Sequence, residues 1–151
     1  MSSRAVANSA CLIALGEIGK QDLLNGVFES VTAPPAVNTE VGRSIPWLQI
    51  RAPADGALVR ALETQLGGGE AEAIALAMEL GDVEVILDDK KARGIARQMG
   101  LKVVGTLGVL VRAKRAGLIA EVKPVIDELE KAGFHMTADL RLQTLGLAGE
   151  G

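Results

Sequence analysis

The sequence predicts an α/β fold in which a central, mainly parallel sheet is flanked by helices, and three observations predict it. Strand-like and helix-like segments alternate from one end of the chain to the other. No tight Asn-Gly or Asp-Gly turn joins two strand-like runs, so the crossovers of a parallel sheet are expected rather than hairpins. The run "VEVIL" (83–87) is rich in branched residues and short enough to be buried on both faces, as strands inside parallel sheets are.

Each element has its own signal. "RAVAN" (4–8) reads as a strand and "CLIALGEIG" (11–19) as a helix that Gly19 can close. "QDLLNGVF" is a second short helix and "ESVTA" a strand, while "PPAVNTEV" (34–41) opens a helix with proline in its first turn. "GRSIP" is loop and "WLQIRA" (47–52) a further strand. Asp55 can N-cap a helix through Leu66, because Leu58, Ala61, Leu62 and Gln65 recur at helical spacing. The triple glycine at 67–69 breaks the pattern before a helix from Glu70 to Leu80. Beyond "VEVIL", "KKARGIARQM" is a helix ending at Gly100, "KVV" (102–104) a strand, and Thr106 stands at the N-cap of a helix to Ala116. In "VKPVIDELEKAG", Val122, Val125, Ile126 and Leu129 share one face. "MTADLRLQTLGLAG" is a final helix capped by Thr137.

Composition narrows the function. A chain of 151 residues with no internal repeat or linker is expected to form one domain, residues 1–151. Its aromatics are Phe28, Trp47 and Phe134 alone, so the core is aliphatic and base-stacking platforms for nucleic acid are nearly excluded. A single cysteine, Cys11, leaves no disulfide framework or cysteine-rich zinc site and reads as a small buried filler. No basic-then-apolar leader and no membrane-spanning apolar run are seen, so a cytoplasmic protein that does not enter the membrane is expected. The net charge of −3 argues against a wholly basic surface but not against a local basic patch.

In parallel sheets ligands bind beyond the carboxyl ends of the strands. Those ends offer Asn8 after the first strand and the pair Asp88–Asp89 after "VEVIL", with Glu40 late in the helix after "VTA" and Glu70 opening a later helix. Each has an ordinary alternative; Glu70 suits a helix start through the dipole, by about 0.3–1 kcal/mol. Glu72 points elsewhere on the same helix. Together the acids and the Asn carbonyl form an all-oxygen set without His or Cys partners, the set that Mg²⁺ and Mn²⁺ prefer. Clustered carboxylates without a cation would raise one another's pKa values. A metal resolves that repulsion and can activate water against a phosphodiester.

The segments "ANSACLIALGEIGKQDLLNGVF" and "LGGGEAEAIALAMELGDVEVILDDKKARGIARQMGLKVVGTLGVLVRAKRAGLI" resemble the PIN-domain proteins. They are similar above all to a prokaryotic subfamily carrying GEAEAI, DDxxxR and GTLGVL in that order, and "PPAVNTEV" and "AGFHMTADLRLQTLGLAGE" fit it as well. The resemblance implies a three-layer sandwich and a Mg²⁺- or Mn²⁺-dependent ribonuclease, the toxin of a toxin–antitoxin pair. It implies RNA as substrate, a separate antitoxin protein as partner, and a homodimer. By motif, the PIN carboxylates fall on Glu40, Glu70 and the pair Asp88/Asp89, between which the sequence does not choose. The family's first acid falls on Asn8, which offers a carbonyl oxygen but no charge. Thr106 is placed by the resemblance to hold a metal-bound water or a phosphate, and by its position to cap a helix.

Lys90, Lys91 and Arg93, with Arg97, lie on the helix that starts at the acidic pair, where they can hold a nucleic-acid backbone or pair with the carboxylates. Arg112, Lys114 and Arg115 read as a solvated face. The triple glycine lacks the Gly-Lys-Ser/Thr ending of a phosphate loop, and His135, the single histidine, lies in a loop. Two rivals stand beside the nuclease. One is a phosphoacceptor receiver domain, disfavoured because the acidic pair comes late in the chain. The other is a catalytically weak or inactive PIN-like module that binds nucleic acid or protein, favoured by Asn8.

Overall fold

The structure, a computed structural model, describes residues 3–151. Five strands form one sheet: β1 (Arg4–Ala7), β2 (Ser30–Ala33), β3 (Gln49–Ile50), β4 (Glu84–Ile86) and β5 (Lys102–Val104). Their order is β3-β2-β1-β4-β5 and every pairing is parallel. The helices are α1 (Ser9–Glu17), α2 (Leu23–Val27), α3 (Pro35–Val41), α4 (Gly56–Glu63), α5 (Gly68–Leu80), α6 (Lys90–Gln98), α7 (Thr106–Arg115), α8 (Lys123–Lys131) and α9 (Ala138–Leu147).

The central strands β1 and β4 are covered on both faces, which is why they carry apolar residues at successive positions. On one face Ala5, Ala7, Val31 and Ile86 pack against Leu12 and Leu15 of α1, Leu110 of α7 and Ile126 and Leu129 of α8. On the other, Val6, Val85 and Leu87 meet Ile74 and Leu76 of α5, Leu62 of α4 and Ala92 and Ala96 of α6. The result is a three-layer α/β sandwich. The expected shared face of Val122, Val125, Ile126 and Leu129 is buried, and Thr137 caps α9 by accepting from the Leu140 N–H at 3.0 Å. Asp55 likewise caps α4 through the Leu58 N–H at 3.0 Å. The buried Cys11 thiol is pushed up to about 12, first by burial and then by the charge of Asp88, so it behaves as the expected apolar filler.

Five expectations need correction. The "WLQIRA" strand shrinks to Gln49–Ile50, a two-residue edge strand with a neighbour on one side only. Helix α4 stops at Glu63 rather than Leu66. Two of the three glycines do not break a helix: Gly67 is the N-cap of α5, and Gly68 and Gly69 form its first turn. Nor does Thr106 cap α7. Gly105 holds the N-cap position and Thr106 is the first helical residue. The arginines expected on a solvated face are engaged too: Arg112 forms a two-point ion pair with Glu84 and lies over the Phe28 ring. That pairing holds the Glu84 carboxyl below its ordinary range, helped by the Ser3 hydroxyl.

Candidate metal centre

At the carboxyl edge of a parallel sheet, residues following a strand alternate between its faces. This parity separates the two aspartates. Leu87 faces α5, so Asp88 turns to the α7 side and Asp89 returns to the α5 side. Asp88 accepts from the Thr106 N–H at 2.8 Å and from the Thr106 hydroxyl at 2.5 Å. It thus caps α7 from the loop after β4, doing the work expected of Thr106. Thr106 is fully buried (0% exposed), its hydroxyl donates to Asp88, and it does not line the cleft beside Asn8 and Glu40. Asp89 caps its own helix, accepting from Ala92 N–H at 2.9 Å through Oδ2, and is otherwise exposed.

Asn8, in extended conformation at the end of β1, is 6% exposed, and its Oδ1 accepts from the Ser9 N–H at 2.8 Å. The Ser9 hydroxyl donates to Glu40 Oε2 at 3.2 Å and so ties the last turn of α3 to the start of α1. Gly69 explains the glycine run. A methyl group there would overlap Glu40 Oε1 and lie 3.7 Å from Asn8 Oδ1, so these two oxygens share the space that a side chain would take. Glu70, half-buried in the next position, completes the wall of an open cleft of about 580 Å³ bounded by Asn8, Ser9, Glu40 and Gly67–Glu70.

Electrostatics shows which acids sense one another. The Glu70 carboxyl is raised above its ordinary range by burial, then by the charge of Asp89 and by that of Glu40, against the lowering pull of the Gly67 N–H. Glu70 thus feels the charge of two other acids, at an edge where α1, α5 and α6 all begin and their N-termini favour negative charge. Among the described residues, no three His, Cys, Asp or Glu side chains converge tightly enough to enclose an ion as they stand. The donor set still fits a hard cation: two carboxylates, Glu40 and Glu70, and the Asn8 amide oxygen line a cleft with room for an ion that keeps several of its own waters, and the charge of Asp89 is felt at Glu70.

Lys90 and Lys91 are exposed beside Asp89 and make no ion pair among the described residues. Arg93 is turned inward. Its Nη1 donates to the Leu87 carbonyl at 2.8 Å, and the guanidinium lies with Asp88 against Gly105. Burial, then the neighbouring Arg97, pulls its pKa down, and Asp88 opposes this. Arg93 therefore braces the β4–α6 turn, which limits it as a contact for nucleic acid. Ser9 and Gly69 border the cleft and contact or crowd Glu40, and reading the sequence did not single them out as site residues.

The sequence profile of a PIN domain family matches residues 4–150, nearly the whole chain. The chain belongs to the PIN-domain family. No curated protein matches it. Membership agrees with the five-stranded parallel sandwich, and PIN domains are as a rule nucleases that use divalent cations and act on RNA. No helix among the described residues is long and apolar enough to cross a membrane.

Proposed function

We propose that this PIN domain is a Mg²⁺- or Mn²⁺-dependent endoribonuclease whose centre is built from Glu40, Glu70 and Asp89 with the Asn8 carbonyl oxygen. The observation that carries this reading is the shared cleft in which Glu40 and Asn8 face Gly69, while Glu70 feels both Asp89 and Glu40. Asp88 is a positioning residue that fixes the start of α7. When bound, the cation supplies a Lewis acid that activates water and offsets charge on the phosphodiester. The chain's own residues do the rest. Ser9 orients Glu40, Gly69 keeps the space between Glu40 and Asn8 open, and the helix N-termini steady the gathered carboxylates. Lys90 and Lys91 take the RNA backbone at the Asp89 end.

In this reading the protein is the toxin of a toxin–antitoxin pair, works in the cytoplasm as a homodimer, and is held by a small antitoxin protein. Family membership supports the toxin role, and the apolar side chains of Leu142 and Leu147, 64% and 66% exposed on α9, support self-association. A small open reading frame next to the gene is the observation that tests the pairing.

A second reading, a PIN module that binds RNA without cutting it, is favoured by the missing charge at Asn8 and by the loose spacing of the acids. One experiment separates the two. Millimolar Mn²⁺ is expected to raise the melting temperature of the parent and to switch on cleavage of a labelled RNA, while Glu70→Gln folds but loses both responses. RNA binding by the parent with no cleavage in Mn²⁺ would favour the binding module.

A further inference from the structure

Beyond the cleft, the surface continues. Thr39, exposed on α3, borders both the cleft and a second open groove of about 600 Å³ along the α3–β3 loop. Ile50 of edge strand β3 borders that groove and also a third hollow of about 270 Å³ on the opposite face of the strand. The three depressions therefore form one run that leaves the acids, passes the α3–β3 loop and turns around the sheet edge.

The charge along this run is one-sided. In a chain with 19 acidic residues and a net charge of −3, no carboxylate lines the second groove or the third hollow among the described residues. The charged residues there are Arg43 in the groove and Arg4 and Arg51 in the hollow. Arg43 and Arg51 make no ion pair among the described residues, and Arg4 gives one N–H to the Asp82 carbonyl at 3.3 Å. The fold sets Arg43 there through Gly42, whose φ of +72° ends α3 one residue earlier and turns the chain outward. Helix α5, backed by α4, covers β1 and β4 but leaves β2 and β3 without a helix on this face. Ser30, Thr32 and Gln49 accordingly replace the apolar residues found elsewhere in the sheet.

We infer that single-stranded RNA leaves the cleft over the α3–β3 loop and around β3, its phosphates held by Arg43, Arg51 and Arg4; this rests on the nuclease reading above. Guanidinium groups match phosphate geometry. No aromatic side chain lines the groove or the hollow, so the track reads backbone charge rather than bases.

The test is binding of a fluorescein-labelled oligouridylate, with metal chelated to prevent cleavage, over a range of KCl concentrations. Arg43→Ala and Arg51→Ala are each expected to weaken binding several-fold. Each should also flatten the slope of log K against log salt by about 0.7, and together by about 1.4, the value for one and two lost single-strand phosphate contacts. Lys131→Ala, exposed at the end of α8, should match the parent. Unchanged melting temperatures would confirm that the variants fold. A double variant with the parent's affinity and slope overturns the track. If that parent also cleaves RNA in Mn²⁺, the nuclease reading stands alone; if the parent binds no oligouridylate at all, both fall together.

Discussion

Gly69→Ala should separate stability from function, because the two opposing effects on stability are of similar size. Alanine is the better helix former by about 1 kcal/mol in a helix interior, and somewhat less in a first turn. Against that, the new methyl would occupy the place of Glu40 Oε1. Glu40 is exposed and flexible, so its carboxylate should swing away and release the Ser9 hydroxyl, a loss of about 0.5–1.5 kcal/mol. The net change in chelator is thus within about 1 kcal/mol, or a shift in melting temperature of no more than about 4 °C. The metal response should change far more. A parent held at one hundred times its Kd for Mn²⁺ gains about 2.7 kcal/mol, and a site weakened tenfold keeps only about 1.4. Thermal melts in chelator and in Mn²⁺, with RNA cleavage beside them, measure both. A variant that keeps the parent's Mn²⁺ shift and cleavage rate would show that Glu40 is no part of the centre. A loss above about 3 kcal/mol in chelator would show that α3 and α5 move apart instead, the penalty of an overpacked contact.

The two aspartates should fail differently. Asp88→Asn weakens a charge-assisted cap on α7 and should lower stability by about 1–2 kcal/mol in chelator, whereas Asp89→Asn keeps an equally good N-cap and should lose the Mn²⁺ shift with stability unchanged; the reverse pattern in thermal melts would exchange their roles. Asn8→Asp keeps the acceptor for the Ser9 N–H but adds charge near Glu40, so the variant should melt below the parent in chelator and at or above it in Mn²⁺. A difference of the same sign and size in both conditions would place Asn8 outside the centre.

Much of the sheet was legible because its signals are local. Alternating segments, apolar strands and the capping residues Asp55 and Thr137 all act within a few positions of themselves. The acids at the strand ends were legible for the same reason. What escaped depended on residues meeting from far apart. Thr106 looks like a cap because nothing nearby announces that Asp88, 18 positions away, will take that role. The glycine run looks like a break because the reason for Gly69 is a carboxylate on a different helix. Parity along "VILDD" does place Asp88 and Asp89 on opposite faces, but which face holds the cleft depends on where α5 lies. Arg4, Arg43 and Arg51 are scattered singly and leave no charge run to notice.

The strand order has a consequence for how the protein comes into being. β1, made before the other four strands of its sheet, ends up at the sheet's centre, bonded to β2 on one side and to β4 on the other. Its register with β4 pairs Ala5 with Glu84, so this seam closes only once Glu84, 79 positions further on, has been added. Non-local closures of this kind are slow steps. Asn8 and Glu40 belong to the half before the seam, and Asp89 lies just beyond it. Until β4 docks on β1, the residues that follow it, Asp88 and Asp89, are not brought to the sheet edge that carries Asn8.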